Sequence, residues 1–473
     1  MPAFEYIMKI KNKSLICFWS VAFLFLILKI IEMQFKFSDG FTYMYMGKLI
    51  LNGLTPYRDF FFASPPLQVY IIAFFEIFTG KNILLLKLIP IFASIGGAFF
   101  IYSFVKSKFD EWQGLVASIL FLFSFLVLLT TDYSTGISLT LFFIFGSIYF
   151  IEKDKPFLAG IFASLALLTR LYAPFPVAGI FLYLLIYKRK SALKFLLGTL
   201  ALFIPISIFF QIISNGGYLD QIFLFRLNLI SGIGLSKWNI VKFFIIGDFI
   251  LVLGSLFYFL FDKEKKKLLL PVFATIFSLI LYLVYSDVYY LYFGLIIGFL
   301  AIFTSKFIFK FSSEKNFKKF LVIFLALFIL FNSSIYIANY ASASNVPFSN
   351  EITNFVRENS EINETIYGSF EITPMVAILS ERSLAGNIAD TNPKNIITSE
   401  FTMKEIEEKI SGVRFIIAKG IQLYDGTLTG FDASTPIDYI NQNCILAKTY
   451  SVKKDLNGAN IVLVYDCKKP NFS

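Results

Sequence analysis

Long apolar runs, separated by charged or turn-rich breaks, constrain this chain more than any other feature of its sequence. They mark eleven candidate membrane spans, near residues 14–31, 83–105, 113–130, 136–151, 156–170, 172–187, 192–213, 240–261, 268–285, 289–308 and 319–341. A helix needs roughly 20 mostly apolar residues to cross a bilayer. With 57% hydrophobic residues over 473 positions, the chain is too apolar for an ordinary soluble protein. We therefore predict a polytopic α-helical membrane protein.

The basic residues predict the orientation of these spans. If the N-terminus is cytoplasmic and the first span is uncleaved, most loop Lys and Arg fall on one side, as in 188–190 and 263–267. Cytoplasmic loops carry such an excess. The short apolar segment 67–80 would scramble this sorting if it crossed, so we place it at the outer interface, inside a long external loop at 32–82. The basic charge thus belongs to the membrane part and does not indicate nucleic-acid binding.

An odd number of spans places the remainder of the chain outside the cytoplasm. Residues 345–473 carry a net negative charge, and helix-like stretches alternate there with β-like ones. We therefore divide the chain into a membrane domain, 1–344, and an extracytoplasmic α/β domain, 345–473. The second domain has no glycine-rich phosphate loop, which favours a structural or acceptor-positioning role. Cys444 and Cys467 could form a disulfide in an oxidising compartment or remain unpaired thiols.

The chain contains no histidine, and this excludes several chemistries. Catalytic triads built on His, His-ligated metals and imidazole proton transfer are all ruled out. Proton transfer would have to use Asp, Glu, Lys or Tyr side chains. The cysteines form no CxxC pair. We expect no cofactor; a divalent cation is compatible with the sequence but not indicated by it.

Two acidic residues lie where spans emerge at the predicted outer face. Asp39 stands in SDGFTYMYMG after the first span, and Asp132 stands in LLTTDYSTG at the end of the third. Position alone leaves two interpretations open for each residue. An Asp can cap the helix that follows it, which for Asp39 would begin at Gly40. Alternatively, the two carboxylates could activate a hydroxyl group.

Three basic residues in or near the outer ends of spans also have competing interpretations. Arg170, in LALLTRLYAPFP, could snorkel to the interface or hold a phosphate with its guanidinium. Lys29, within the first span, could reach a lipid headgroup, snorkel, or pair inside the helix bundle. Arg58 is adjacent to Asp59 in TPYRDF, which is typical of a surface pair.

The order and spacing of these stretches resemble the membrane glycosyltransferases with the GT-C fold, of the protein O-mannosyltransferase and aminoarabinose transferase type. Residues 38–80 resemble that family's first external loop, with an Asp soon after the first span, the stretch NGLTPYRD, and a Pro-Pro element before an apolar helix ending in Phe-x-Gly. Residues 130–170 resemble the part where a second Asp opens a span. The resemblance covers residues 10–210, and the remainder by layout only.

The resemblance implies a GT-C-like membrane domain and a role for each motif residue. Asp39 would take the proton from an acceptor hydroxyl, and Asp132 would be the second acid of the site. Arg170 would face the phosphate of a polyprenyl-phosphate sugar donor, where relatives carry Lys. The implied reaction is an inverting single displacement onto a glycan, lipid or protein acceptor at the outer face of the cell membrane.

Three departures from the family pattern matter. Gly40 follows Asp39 where many relatives have Glu, Arg170 replaces Lys, and Ser64 replaces a cation. The last two affect the phosphate contacts. Ser64 precedes Pro65 and Pro66 at the place where relatives carry Lys or His, and a hydroxyl cannot supply a positive charge. Arg58 or Arg226 is expected to compensate.

Two other functions compete with glycosyl transfer. A transporter or flippase for polyprenyl-linked sugars would be expected to have mid-span charges and broken helices in repeat-related halves. The sequence offers only Lys29 and Asp248 as deep charges, and it shows no clear repeat. A non-enzymatic scaffold would use the external domain for binding.

Overall fold

Each of the eleven apolar intervals contains helix. The computed structural model describes residues 13–33, 38–80, 82–225, 236–262, 264–285, 288–338, 346–397, 401–422, 428–456 and 459–468. Helices up to Tyr336 are α1 Lys13–Ile31, α2 Gly40–Leu51, α3 Leu67–Thr79, α4 Leu88–Lys108, α5 Glu111–Leu122, α6 Phe125–Thr130, α7 Ile137–Glu152, α8 Pro156–Leu167, α9 Pro174–Tyr187, α10 Arg189–Ile213, α11 Lys237–Gly247, α12 Phe249–Phe261, α13 Leu269–Val284, α14 Gly294–Phe309 and α15 Phe317–Tyr336.

The lengths of these helices confirm a polytopic membrane protein. Within the described ranges, six helices are long and apolar enough to cross a bilayer: Lys13–Ile31, Ile83–Lys108, Arg189–Ile213, Lys265–Val284, Tyr290–Phe309 and Phe317–Tyr336. Three of these begin with a short 3₁₀ turn, at Ile83–Lys87, Lys265–Leu268 and Tyr290–Phe293. The remaining apolar helices are shorter, so a total of eleven spans stays a prediction.

Two of the predicted spans are broken within the apolar run. The third span divides into α5 and α6 at Ser124. This residue has an extended backbone, and its hydroxyl caps α6 by accepting a hydrogen bond from the Val127 N–H. The eighth divides into α11 and α12, which bend by 87° at Asp248. Because lipid offers no hydrogen bonds, a broken helix at membrane depth must satisfy its exposed backbone groups within the protein.

The second break supplies hydrogen-bond acceptors to the first. The Asp248 carboxylate accepts hydrogen bonds from the backbone N–H groups of Phe125 (2.9 Å) and Leu126 (3.1 Å), the first residues of α6. The N-terminal N–H groups of a helix lack intrahelical partners and favour negative charge. The buried Asp248 is therefore an anchor for the start of α6.

The chain forms two compact units. The helical unit comprises Met1–Met33, Lys87–Ile208 and Gly234–Tyr340, and the mixed unit comprises Gln34–Leu86, Phe209–Ile233 and Ala341–Ser473. The third segment of the mixed unit begins close to the predicted domain boundary at 344 and 345. The same unit also includes most of the predicted external loop at 32–82.

The C-terminal segment of the mixed unit builds one sheet flanked by short helices. Its elements are α16 Val346–Glu358, β1 Thr365–Gly368, α17 Thr373–Ser380, β2 Ser383–Leu384, α18 Pro393–Ile397, α19 Met403–Lys409, β3 Phe415–Gln422, β4 Leu428–Thr429, α20 Ile437–Asn443, β5 Ile445–Leu456 and β6 Ala459–Asp466. The strand order is β2-β1-β3-β6-β5, with β4 paired to β3. The pairs β1–β2 and β1–β3 are parallel, whereas β3–β6 and β5–β6 are antiparallel. This confirms a small α/β arrangement.

Apolar side chains close one face of this sheet. Tyr367, Ile416, Ile406 and Ile410 are buried in a common cluster beneath α19. At the end of β1, Gly368 has φ 150°, and a Cβ there would lie 1.9 Å from the carbonyl oxygen of Ile417. Only glycine therefore permits this close approach between β1 and β3.

Cys444 and Cys467 form a disulfide, which resolves the alternative that the sequence left open. It joins the residue before β5 to the residue after β6, at the same end of the hairpin. The remaining cysteine, Cys17, is a half-buried thiol in α1.

The role of Asp248 predicts a graded loss of stability. Asp248→Leu leaves two buried helix N–H groups without an acceptor, at a cost of ~1–3 kcal/mol each. Asp248→Asn keeps one acceptor oxygen and should cost less. Asp262→Asn, at the other end of α12, serves as the matched control. The midpoint of thermal aggregation in detergent measures this order, and equal midpoints for Asp248→Leu and the wild type would contradict it.

Candidate active site

Asp39 occupies the position before the first residue of α2, but its side chain does not cap that helix. Its backbone is already helical (φ −56°, ψ −21°), and its carboxylate makes no capping hydrogen bond. A capping Asp ordinarily has an extended backbone and accepts from the first N–H groups. The capping interpretation is therefore wrong for Asp39. Its half-buried carboxylate sits at the helix end where negative charge is favoured.

Both flanks of Asp39 are tied to the loop that follows β1. The Ser38 N–H donates to the Glu371 carbonyl (3.1 Å). The Thr42 hydroxyl donates to the Phe370 carbonyl (3.0 Å). Two consecutive carbonyls of this loop therefore bind the backbone N–H of the residue before Asp39 and the side-chain hydroxyl of the residue three positions after it.

A third contact joins α2 to the same region. The Tyr45 hydroxyl accepts a hydrogen bond from the Leu384 N–H (2.7 Å) in β2. Both residues are buried. The first two turns of α2 are thus held by the C-terminal segment, through Thr42 and Tyr45.

Arg58 is engaged with a neighbouring carboxylate. Its Nε and Nη2 atoms donate to the two carboxylate oxygens of Asp59 at 3.0 and 2.9 Å, and its side chain is 47% exposed. The hydrogen bond from Arg58 holds the pKa of Asp59 below its ordinary range. A phosphate that bound Arg58 would have to compete with this bidentate pair.

Ser64 lies in a loop whose backbone is held by hydrogen bonds with the side chains of Tyr57 and Gln221. The buried Ser64 accepts a hydrogen bond at its carbonyl from the Tyr57 hydroxyl (2.7 Å). Gln221 accepts from the Phe62 N–H (2.9 Å) and donates to the Tyr57 carbonyl (3.0 Å). The segment before the Pro-Pro element therefore has a defined conformation within the mixed unit.

In the helical unit, Asp132 is paired with Lys29. The Lys29 ammonium lies 2.8 Å from an Asp132 carboxylate oxygen and 3.4 Å from Glu32. It also donates to the Leu128 carbonyl (2.9 Å) and the Tyr336 hydroxyl (2.7 Å). The Tyr336 hydroxyl donates in turn to Asp132. One lysine from α1 therefore connects the end of α6 with the end of α15.

This network decides between the interpretations of Asp132 and Lys29. The residue before α7 is Gly136, in the left-handed region, so Asp132 does not cap that helix. Lys29 is only 1% exposed and pairs inside the bundle; it does not snorkel. Glu32 follows Lys29 by three residues, one turn along a helix, which was the only local signal of this pairing. The contact with Tyr336 links distant parts of the chain, and no local pattern indicates it.

Arg170 lies in the turn between α8 and α9, and it is not an exposed interfacial cation. It is 7% exposed, and its guanidinium carbon lies 6.0 Å from the centre of the Tyr172 ring. The Tyr172 ring lies 4.7 Å from that of Tyr292, whose carbonyl accepts from the Tyr282 hydroxyl (2.7 Å). A buried guanidinium beside tyrosine rings suits the recognition of an anion shielded from water.

The predicted site residues divide between the two units. Asp39, Arg58 and Ser64 belong to the mixed unit, and Asp132 and Arg170 belong to the helical unit. Arg226 lies outside the described residues. In the part of the chain that the structure describes, no three Asp, Glu or Cys side chains gather as a metal site would require.

Comparisons with known proteins agree with the sequence resemblance. Residues 63–210 match the model of the dolichyl-phosphate-mannose-protein mannosyltransferase family. Among curated protein sequences, none matches this chain significantly.

Several solved structures share the fold. ArnT from Cupriavidus metallidurans, bound to undecaprenyl phosphate, is 10% identical with a TM-score of 0.69, over 96% of this chain and 98% of ArnT. The Archaeoglobus fulgidus oligosaccharyltransferase is 12% identical with a TM-score of 0.58, over 86% of this chain and 70% of that one. The mycobacterial arabinofuranosyltransferase AftD is 11% identical with a TM-score of 0.54, over 95% of this chain and 41% of AftD.

These similarities extend over nearly the whole chain, whereas the family match covers its first half only in part. At such low identity, a shared structure establishes the fold. The chain has the GT-C fold of membrane glycosyltransferases and resembles, across residues 63–210, the dolichyl-phosphate-mannose-protein mannosyltransferase family.

Proposed function

We propose that this protein transfers a sugar from a polyprenyl-phosphate donor to an acceptor hydroxyl at the outer face of the membrane. The carrier would be dolichyl or undecaprenyl phosphate. The bond from the acceptor oxygen to the anomeric carbon forms as the bond to the phosphate oxygen breaks. The electron pair leaves with the polyprenyl phosphate, the acceptor proton passes to Asp39, and the anomeric configuration inverts.

The observation that carries this proposal is the position of Asp39 and the hydrogen bonds that hold the segment around it. Its carboxylate stands at the start of α2, and the segment around it is held by hydrogen bonds from the Ser38 N–H to the Glu371 carbonyl and from the Thr42 hydroxyl to the Phe370 carbonyl. A general base must be both placed and ionised. The fixed backbone supplies the placement, and the positive end of α2 favours the ionised form.

Arg170 is proposed to bind the donor phosphate. Its burial beside Tyr172 would strengthen its attraction for a phosphate in a medium of low dielectric. A planar guanidinium can donate two parallel hydrogen bonds to phosphate. It would stabilise the negative charge that develops on the leaving group. ArnT, which shares the fold, is a structure bound to undecaprenyl phosphate.

Asp132 is proposed to orient rather than to accept the proton. Lys29 lies 2.8 Å from its carboxylate, and the Tyr336 hydroxyl donates to the same group. These contacts hold the carboxylate in one position, which suits an orienting role.

Transport of a lipid-linked sugar is the alternative, and the broken helices bear on it. Both deep charges that the sequence offered have structural partners. Lys29 pairs with Asp132, and Asp248 anchors the start of α6. Neither pattern requires a transported ligand, so the breaks alone do not favour transport over transfer.

Loss of the proposed base should abolish most transfer. Asp39→Asn keeps the size of the side chain but cannot accept the proton, so we expect a loss of ~10²–10⁴-fold in rate. Mass spectrometry of surface glycans and lipids, in cells that lack the protein and are complemented with each variant, measures the product. Asp220→Asn, an exposed acid of the same unit, is the control and should restore the product fully. Normal product from Asp39→Asn at equal protein level would overturn the proposal.

Removal of Lys29 should damage stability as well as activity. Lys29→Met leaves the buried Glu32 and the half-buried Asp132 without their cation, at a cost of ~3–5 kcal/mol. Lys106→Met removes an exposed pair with Glu111 and should change stability by no more than ~1 kcal/mol. Thermal aggregation in detergent compares the two variants.

A double variant separates the effect of Lys29 on stability from its effect on transfer. Adding Asp132→Asn to Lys29→Met removes one uncompensated charge and should restore part of the stability without restoring transfer. A single variant Lys29→Met as stable as the wild type would contradict the buried pairing.

We also propose that the C-terminal sheet domain is extracytoplasmic, since its disulfide is of the kind that persists in oxidising compartments. In intact cells carrying Cys17→Ser, an impermeant maleimide should label Cys444 and Cys467 after treatment with an impermeant phosphine. A cysteine introduced by Lys266→Cys, in a chain with the three native cysteines replaced by Ser, should be labelled only after permeabilisation. The reverse pattern would contradict this orientation.

A further inference from the structure

The loop that holds Asp39 is itself fixed by charged side chains that the proposed reaction does not use. This loop, residues 369–371, follows β1 and is called the β1 loop below. Its last residue, Glu371, places a carboxylate oxygen 2.8 Å from the ammonium of Lys419 on β3. Glu371 is 7% exposed and Lys419 is 6% exposed. The contact is therefore a buried ion pair.

A second acid completes the cluster. A carboxylate oxygen of Asp432 lies 3.6 Å from the Lys419 ammonium and accepts a hydrogen bond from the Ser369 hydroxyl (3.3 Å). Burial raises the pKa of Asp432, and the nearby Lys419 opposes that rise. One cation thus lies between two carboxylates, and Glu371 is the nearer.

The backbone of the β1 loop is tied to β3 at the same place. The Ser369 N–H donates to the Ile417 carbonyl (2.9 Å), and the Lys419 N–H donates to the Ser369 hydroxyl (3.2 Å). Gly368 allows this approach because a side chain there would collide with Ile417. The loop is therefore attached to β3 through backbone at one end and through the Glu371–Lys419 pair at the other.

A buried ion pair is weak support for a purely stabilising role. Desolvation offsets most of the attraction, and apolar residues of similar volume often serve as well or better. A satisfied polar cluster does hold its members in one arrangement. Here the arrangement fixes residue 371, whose carbonyl binds the N–H of Ser38, the residue before Asp39.

We propose that Lys419 is a positioning residue for Asp39. By holding Glu371, it places the two carbonyls that bind the Ser38 N–H and the Thr42 hydroxyl on either side of Asp39. This inference rests on the proposed role of Asp39 as the base. A displacement of about 1 Å between reacting groups can cost ~10²-fold in rate, so a shift of the β1 loop is transmitted to the reaction.

The test compares the loss of a charge on β3 with the loss of a charge at the residue just before β3. Lys419→Met removes the cation beside the β1 loop. Arg414→Met removes an ion pair with Asp466 (2.8 Å) at the opposite end of β3, so it is the matched control for general weakening of the sheet. Lys419→Arg keeps the positive charge and should retain the wild-type product level and amide exchange.

Lys419→Met should lower surface product per copy of protein by about tenfold to a hundredfold, and it should speed amide hydrogen exchange in segment 38–45. Arg414→Met should leave the surface product and the amide exchange near their wild-type values. This should hold even if its thermal midpoint falls as much as that of Lys419→Met. Binding of undecaprenyl phosphate to the purified protein should be equal in all variants, because the donor lipid is not what Lys419 positions.

Each result has a distinct meaning. Unchanged exchange at 38–45 in Lys419→Met overturns the link between Lys419 and the Asp39 segment. Faster exchange with normal product overturns the positioning role. Equal loss of product in Arg414→Met reduces Lys419 to a stabilising residue. Failure of the proposed base would appear as normal product from Asp39→Asn. It remains distinguishable from failure of the Lys419 proposal, because the exchange measurement needs no substrate.

Discussion

A charged side chain removed from water must find compensation, and in this protein such compensation fixes the segments on which the proposed reaction depends. Lys29 balances Asp132 at the end of α6, and Asp248 binds the N–H groups at the start of the same helix. Both ends of one short helix, Phe125–Thr130, are therefore held by buried charge. A helix of this length would have little stability of its own, so these contacts determine where Asp132 lies within the helical unit.

In the mixed unit, a compensated buried charge likewise holds the segment that contains Asp39. The Glu371–Lys419 pair fixes a loop of the C-terminal sheet, and backbone carbonyls of that loop hold the residues around Asp39. Under the proposed mechanism, the C-terminal domain acts by holding the segment that carries the base. The structural or acceptor-positioning role that its sequence favours stays a prediction.

Sequence reasoning succeeded where the signal is local. Each of the eleven apolar runs contains helix, and the helix-like and β-like stretches of residues 345–473 correspond to one sheet flanked by short helices. It failed where partners are distant. The apolar run around Asp248 continues across the 87° bend and gives no sign of it. Pairing of Cys444 with Cys467 depends on the β5–β6 hairpin, and the contacts of Ser38 and Thr42 with residues 370 and 371 join segments far apart in the chain.

Transfer chemistry, as opposed to transport, is the central claim, and purified protein in detergent tests it most directly because detergent removes the two sides of a membrane. The protein would be incubated with the lipid and envelope extracts of cells that lack it. We expect free polyprenyl phosphate to appear in equal amount with glycosylated acceptor, and Asp39→Asn to produce neither. A protein that restores the surface glycan in cells but leaves the lipid-linked sugars of the extract unchanged would contradict this account.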